Sequence, residues 1–198
     1  AAVRAHAPHD LADLPIEFYL RPTQGLDCGA WQDLRAQGVT QGASDILLAN
    51  DSVFGPLTPL PRLGASMRAR WADVWGMVSA HAVVDHLQSW FVAFSADAFA
   101  HPAIRRVFQQ PFADMTKDEI VLHGELGLGL ALKAAGLNTT AAWEPTRGIA
   151  RLLATNPMHT DWRAVLRSGR VPFIKTELLR DKPSGIAGIG DWRQLIPD

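Results

Sequence analysis

The sequence predicts an α/β domain, and three observations carry that reading. Short apolar runs bounded by Pro, Gly and polar turn residues recur along the chain as strands. Segments with apolar residues at helical spacing lie between them. A capping box, Thr116-Lys117-Asp118-Glu119, opens a long apolar helix. Strands alternating with helices are the signature of the α/β class.

Residues 16–20, partly β-branched and aromatic and set between Pro15 and Pro22, form the first strand. Residues 29–37 follow as a short helix ending near Gly38. Residues 45–49 make a buried strand that runs into Asn50, Asp51 and Ser52, a polar trio suited to a turn. Beyond the Gly55-Pro56 break, Leu60, Leu63 and Met67 recur at helical spacing. The short apolar runs 74–79 and 90–94 fit strands buried on both faces. A helix over 102–109 precedes the capping box, whose helix continues to Ala135 with Gly136 as its stop. Residues 139–143 are one more strand, Thr160 caps a helix over 161–167, and 175–180 form a final short helix. Residues 183–198 read as an irregular tail, and no internal repeat is present.

The 198 residues are 47% hydrophobic, enough to bury one sizeable core, so residues 1–198 are expected to form a single domain. With 19 basic against 20 acidic side chains there is no charge excess to neutralise phosphates, which argues against a nucleic-acid binder. The lone Cys28 cannot form an internal disulfide, as fits a reducing compartment. No apolar run approaches the ~20 residues that cross a bilayer. The chain starts without Met and without a signal-peptide profile, so it is expected to be a fragment or an abbreviated form.

Several residues could carry chemistry. Asn50, Asp51 and Ser52 place hard oxygen donors at the end of a strand, where open α/β sheets hold ligands; the same trio also reads as a turn. Glu125 stands in an apolar helix interrupted by Gly124, Gly127 and Gly129, each costing about 1 kcal/mol relative to Ala. Such glycines fit a backbone or ligand approaching closely, and a carboxylate beside them is a candidate general base. A solvent-facing Glu is the alternative. His86, Gln88 and Ser89 suit either sugar hydroxyls or a hydrogen-bonded loop. No His/Cys set has zinc spacing, and neither a nucleophile elbow nor a P-loop is present. Cys28 has no neighbouring base and reads as a packed thiol.

These residues sit in stretches that are familiar as a set. They are Gly25-Leu26-Asp27-Cys28-Gly29-Ala30-Trp31, the run from Leu47 through Asn50-Asp51-Ser52 to Leu57, and Asp73-Val74-Trp75-Gly76. His86-Leu87-Gln88-Ser89-Trp90-Phe91, Glu125-Leu126-Gly127-Leu128 and the run from Pro172 to Arg180 follow in order. Together they resemble the rhamnan synthesis protein F family over about residues 25–180.

The resemblance implies a glycosyltransferase of cell-surface polysaccharide assembly. It would be cytoplasmic, at the inner face of a bacterial inner membrane beside membrane-associated synthesis machinery. It would move L-rhamnose, with inversion, from dTDP-L-rhamnose to a glycan acceptor. The fold implied is a GT-A-like mixed sheet flanked by helices. About 15 residues precede the first strand, too few for the strand–helix–strand unit that cradles a nucleotide base in that fold. Glu125 would be the catalytic base, and Asp27, Asn50, Ser52 and Lys175 would contact the donor and its diphosphate. His86, Gln88 and Ser89 would bind acceptor or sugar. Asp51 would hold Mg²⁺ or Mn²⁺, with His159 as a later metal or phosphate ligand, although the triplet here has one carboxylate where the fold usually has two. Two readings stand beside this one: a transferase using another nucleotide sugar, and a non-catalytic glycan- or partner-binding module of a larger synthase.

Overall fold

The computed structural model describes residues 2–6, 13–70, 72–145, 156–180 and 188–196. Strands β1 (Val3–Ala5) and β2 (Phe18–Leu20) pair antiparallel at the start. Helix α1 (Leu26–Ala36) begins at Gly25, whose φ of 72° lets the chain turn sharply into it. Then come β3 (Asp45–Ala49), the two-residue β4 (Val53–Phe54) and α2 (Leu60–Arg68). Strands β5 (Val74–Ala80), β6 (His86–Leu87) and β7 (Phe91–Ser95) lead to α3 (Ala96–Ala100) and α4 (Pro102–Val107). Helix α5 (Lys117–Ile120), a π-helical segment (Val121–Leu126) and α6 (Gly127–Ala134) run on without a break. The chain continues through β8 (Thr139–Trp143), α7 (Pro157–Thr160), α8 (Trp162–Arg167), β9 (Ile174–Lys175) and α9 (Thr176–Arg180). A 3₁₀ helix over Ile189–Leu195 follows.

The main sheet is organised around β5, where Val74, Met77, Val78 and Ala80 have no exposed surface. Strand β7 lies antiparallel between β5 and β3, while β8 runs parallel along the other side of β5. Both faces are covered. One packs Val74, Val92 and Phe94 against Ile104, Phe112, Ile120 and Leu128. The other gathers Met77, Val78 and Phe91 with Met67, Met158, Val165 and Phe173. Each such side chain removed from water contributes about 1.5–3 kcal/mol, which is why the sheet forms here.

One irregularity matters for function. Ser79 pairs with Leu87, and Gly76 pairs with Val92. The facing arm therefore advances five residues while β5 advances three, so two extra residues bulge out over 88–90. The bulge takes backbone groups out of the ladder and aims them elsewhere, the usual consequence of such an insertion.

The mixed α/β class and most elements match the sequence. Four expectations are corrected. The sheet is mostly antiparallel, with β5–β8 its one parallel pair among the described residues, and this topology does not establish the GT-A arrangement. Strand β3 is a half-buried edge strand, its burial alternating and Leu47 51% exposed; two adjacent leucines disguised the alternation. Asp161, not Thr160, is the cap residue of α8, because Thr160 ends α7 and donates back to the Asn156 carbonyl. Part of the expected irregular tail is the helix at Ile189–Leu195, held by the buried Ile189 and Trp192; residues 183–187 and 197–198 of that tail lie outside the described residues.

Candidate functional site

The site is assembled at the bulge. Freed from the ladder, the Ser89 N–H donates to Oε2 of Glu125 at 2.7 Å. The neighbouring Trp90 carbonyl accepts from the Asn50 N–H at 3.2 Å, which ties the end of β3 to the same point. Glu125 comes from the π-helical segment, a distortion common at functional sites. Two glycines let that helix approach. A Cβ on Gly124 would sit 2.7 Å from the Cys28 Sγ of α1. A Cβ on Gly129 would sit 2.7 Å from the His86 Cβ and 2.8 Å from the Asp85 carbonyl.

His86 completes this half. Its Nδ1 lies 2.7 Å from the Val84 carbonyl, which can only accept, so Nδ1 carries a proton. Its Nε2 lies 3.5 Å from Oε1 of Glu125. A ring facing acceptors through both nitrogens is assigned as the imidazolium. Burial pulls the His86 pKa down, but the hydrogen bonds to Glu125 and Val84 and the charges of Glu125 and Asp85 outweigh it, leaving it raised. Burial pushes the Glu125 carboxyl up, and the bonds from His86 and Ser89 more than reverse this, leaving it lowered. Glu125 is thus an anionic carboxylate with 22% of its side chain exposed.

The second half is a chain of hydrogen bonds. Asn50 Nδ2 donates to Asp27 Oδ2 at 2.7 Å, which fixes the amide so that Oδ1 faces Ser52. That oxygen accepts from the Ser52 hydroxyl at 2.6 Å and from the Ser52 N–H at 3.1 Å. Lys175 Nζ donates to the Ser52 hydroxyl oxygen at 2.9 Å. The pairing of β4 with β9 places Lys175 beside Val53, and its ammonium lies 5.8 Å from the centre of the Trp90 ring. Burial lowers the Lys175 pKa, opposed by the charges of Glu125, Glu177 and Asp27. A cleft of about 250 Å³ opens at this end, lined by Asp51, Ser52, Lys175, Thr176, Glu177 and Arg180.

With that geometry in place, the comparison with known families is decisive. A model of rhamnan synthesis protein F matches residues 2–189 of the chain. The chain belongs to the rhamnan synthesis protein F family. Membership places it in polysaccharide biosynthesis. No curated protein and no solved structure matches it significantly.

In this member of the family, Asp27, Asn50, Ser52 and Lys175 join one hydrogen-bonded run, and Glu125, His86 and Ser89 join another. Asp27 does not cap α1, since Gly25 is the cap residue and Asp27 accepts from Asn50 instead. Gln88 is buried and already committed, accepting from the Trp90 indole at 3.2 Å and donating to Asn156 at 3.0 Å. It braces the bulge. Asp51 is exposed on the cleft rim. His159 pairs with Glu177 at 3.5 Å; burial lowers its pKa, the Glu177 charge opposes that, and Lys175 adds to it.

A Mg²⁺ or Mn²⁺ bridging to a diphosphate would rest on one or two carboxylates of this cleft, Asp51 and Glu177, with the remaining ligands from phosphate oxygens and water. Among the described residues no group of three His, Cys, Asp or Glu side chains is placed to hold a metal ion. The cleft wall also carries two cations, Lys175 and Arg180, beside the carboxylates of Asp51 and Glu177. Sequence reasoning missed Trp90, Thr176, Glu177 and Arg180 as site residues. All four lie inside the resembling stretches, which was the available signal.

Proposed function

We propose that this chain is an inverting glycosyltransferase that moves an L-rhamnosyl unit from dTDP-L-rhamnose to a glycan acceptor. One observation carries the reading: an anchored ammonium, Lys175, and an anionic carboxylate, Glu125, both approach the same 88–90 bulge, Lys175 near the Trp90 ring and Glu125 at the Ser89 N–H. The cleft at Lys175 and Arg180 would take the donor diphosphate, whose charge needs fixed cations.

The acceptor hydroxyl oxygen attacks the anomeric carbon from the face opposite the diphosphate. The bond from that carbon to the diphosphate oxygen breaks, and its electron pair leaves with the diphosphate beside Lys175. The hydroxyl proton passes to Glu125, which is ionised and ready to accept it. Asp27 and Asn50 act through Ser52 and hold Lys175 in position. Incubation with dTDP-L-rhamnose and a rhamnan-type oligosaccharide tests this. Mass spectrometry should find a product heavier by one deoxyhexose, and no product from folded protein would remove the reading.

A binding module is favoured by a different observation. The bonds from His86 and Ser89 hold Glu125 below the usual carboxylate range, and a carboxylate so held accepts hydrogen bonds better than it takes a proton. The same assay separates the two: a module binds the oligosaccharide and leaves its mass unchanged.

A further inference from the structure

A second cavity lies apart from the Lys175 cleft. It is a pocket of about 470 Å³ between α6, β6 and β8, within the range of small-molecule sites. His86 belongs to both regions: it lines this pocket while its Nε2 faces Glu125.

The polar wall is pre-set. Nδ1 of His81 donates to Oδ1 of Asp85 at 2.5 Å, and Nε2 of His81 lies 3.3 Å from the Ser79 hydroxyl. His81 Nε2 and the Ser79 hydroxyl thus share one hydrogen bond, and the hydroxyl, which can both donate and accept, keeps a second position for a ligand. Ser79 lies inside β5 and is almost wholly buried, which makes it a wall rather than a presented nucleophile. Asp85 and Glu144 add carboxylate acceptors, and Lys133 and the Thr139 hydroxyl add donors.

The remaining wall is aliphatic, from Leu87, Leu132 and Leu137. Among the described residues no Phe, Tyr or Trp ring lines the pocket to stack a base, and the carboxylates of Asp85 and Glu144 in its wall oppose a phosphate. Interleaved acceptors and donors suit hydroxyls, which do both. The leucines suit the C–H face or methyl group of a deoxy sugar. Gly129 keeps the floor open, since a Cβ there would meet the Asp85 carbonyl at 2.8 Å.

We infer that this pocket is a carbohydrate site separate from the Lys175 cleft, holding an uncharged, partly deoxygenated sugar unit of a glycan. The inference does not require that Glu125 transfer a sugar. The test is a ¹H–¹⁵N NMR titration of the whole chain with methyl α-L-rhamnopyranoside and, separately, with dTDP. The rhamnoside should shift the amides of Gly129, Gly136, Thr139 and Thr140 and leave those of Ser52 and Lys175 unmoved. His81→Ala should weaken it about tenfold, the worth of one good hydrogen bond. Thr139→Trp, at an exposed strand position that perturbs no core, should abolish it. Shifts confined to Ser52 and Lys175, dTDP shifting the pocket amides, no shifts at all, or binding indifferent to both variants would each overturn the assignment.

Discussion

The backbone N–H of Ser89 points at the Glu125 carboxylate, 2.7 Å away, because two extra residues in the β6–β7 arm release it from the sheet. A helix carboxylate and a strand amide far apart in sequence are thereby locked together. The next residue, Trp90, accepts from the Asn50 N–H as the β3–β7 ladder continues one pair beyond Ala49 and Phe91, so both halves of the site meet on adjacent residues of this arm.

The approach of the π-helical segment to α1 depends on Gly124. Gly124→Ala should destabilise the fold by about 1–3 kcal/mol, because its Cβ would meet the Cys28 sulfur at 2.7 Å. Adding Cys28→Ala removes that sulfur and should recover most of the loss. Urea denaturation of the two single variants and the double variant measures the coupling.

The His86–Glu125 pair sets a pH window. His86 is raised above its ordinary 6.5, so its contribution to stability is complete below that pH and is lost as pH rises through the folded value. Glu125 is lowered below its ordinary 4.5, so its contribution is complete above that pH and is lost as pH falls through the folded value. The two overlap fully between about pH 4.5 and 6.5. The Tm difference between the wild type and His86→Gln should be widest there and shrink on both sides. Partial exposure of Glu125 limits the pair's contribution to stability to about 1–2 kcal/mol. A Tm difference that stays flat across pH would mean the pair is not ionised.

If Glu125 is the general base proposed above, it should matter for turnover and little for donor binding. Glu125→Gln keeps an acceptor for the Ser89 N–H while removing the charge. Transfer should fall by about 100-fold or more with donor affinity nearly unchanged. Steady-state kinetics that show a raised KM with unaltered kcat would assign Glu125 to binding instead.

Much of the framework was legible from local chemistry. Strands β3 and β8 fall on 45–49 and 139–143 as read, because apolar runs between polar turns leave little choice. The capping box at Thr116 and Glu119 forms with both of its bonds, and Gly136 stops the helix at a φ of 65°. What was hidden is long-range. Strand direction has no local signature when a run such as 74–79 is buried on both faces. The helix at Ile189–Leu195 depends on Trp192 meeting the ring of Phe54 at 6.0 Å, a contact no local pattern announces. The glycines around Glu125 announced close approach, but not that the helix would become π-helical there. Within the site, residue types alone could not separate Gln88, spent on Trp90 and Asn156, from Ser89, whose backbone holds Glu125.

Calorimetric titration with dTDP-L-rhamnose, run on the wild type and on Lys175→Met, tests the central claim most directly. The Lys175 ammonium is the anchored cation of the cleft, so the wild type should bind and the variant should lose about 10–100-fold in affinity. No binding by the folded wild type, or equal binding by Lys175→Met, would contradict a donor site at this cleft.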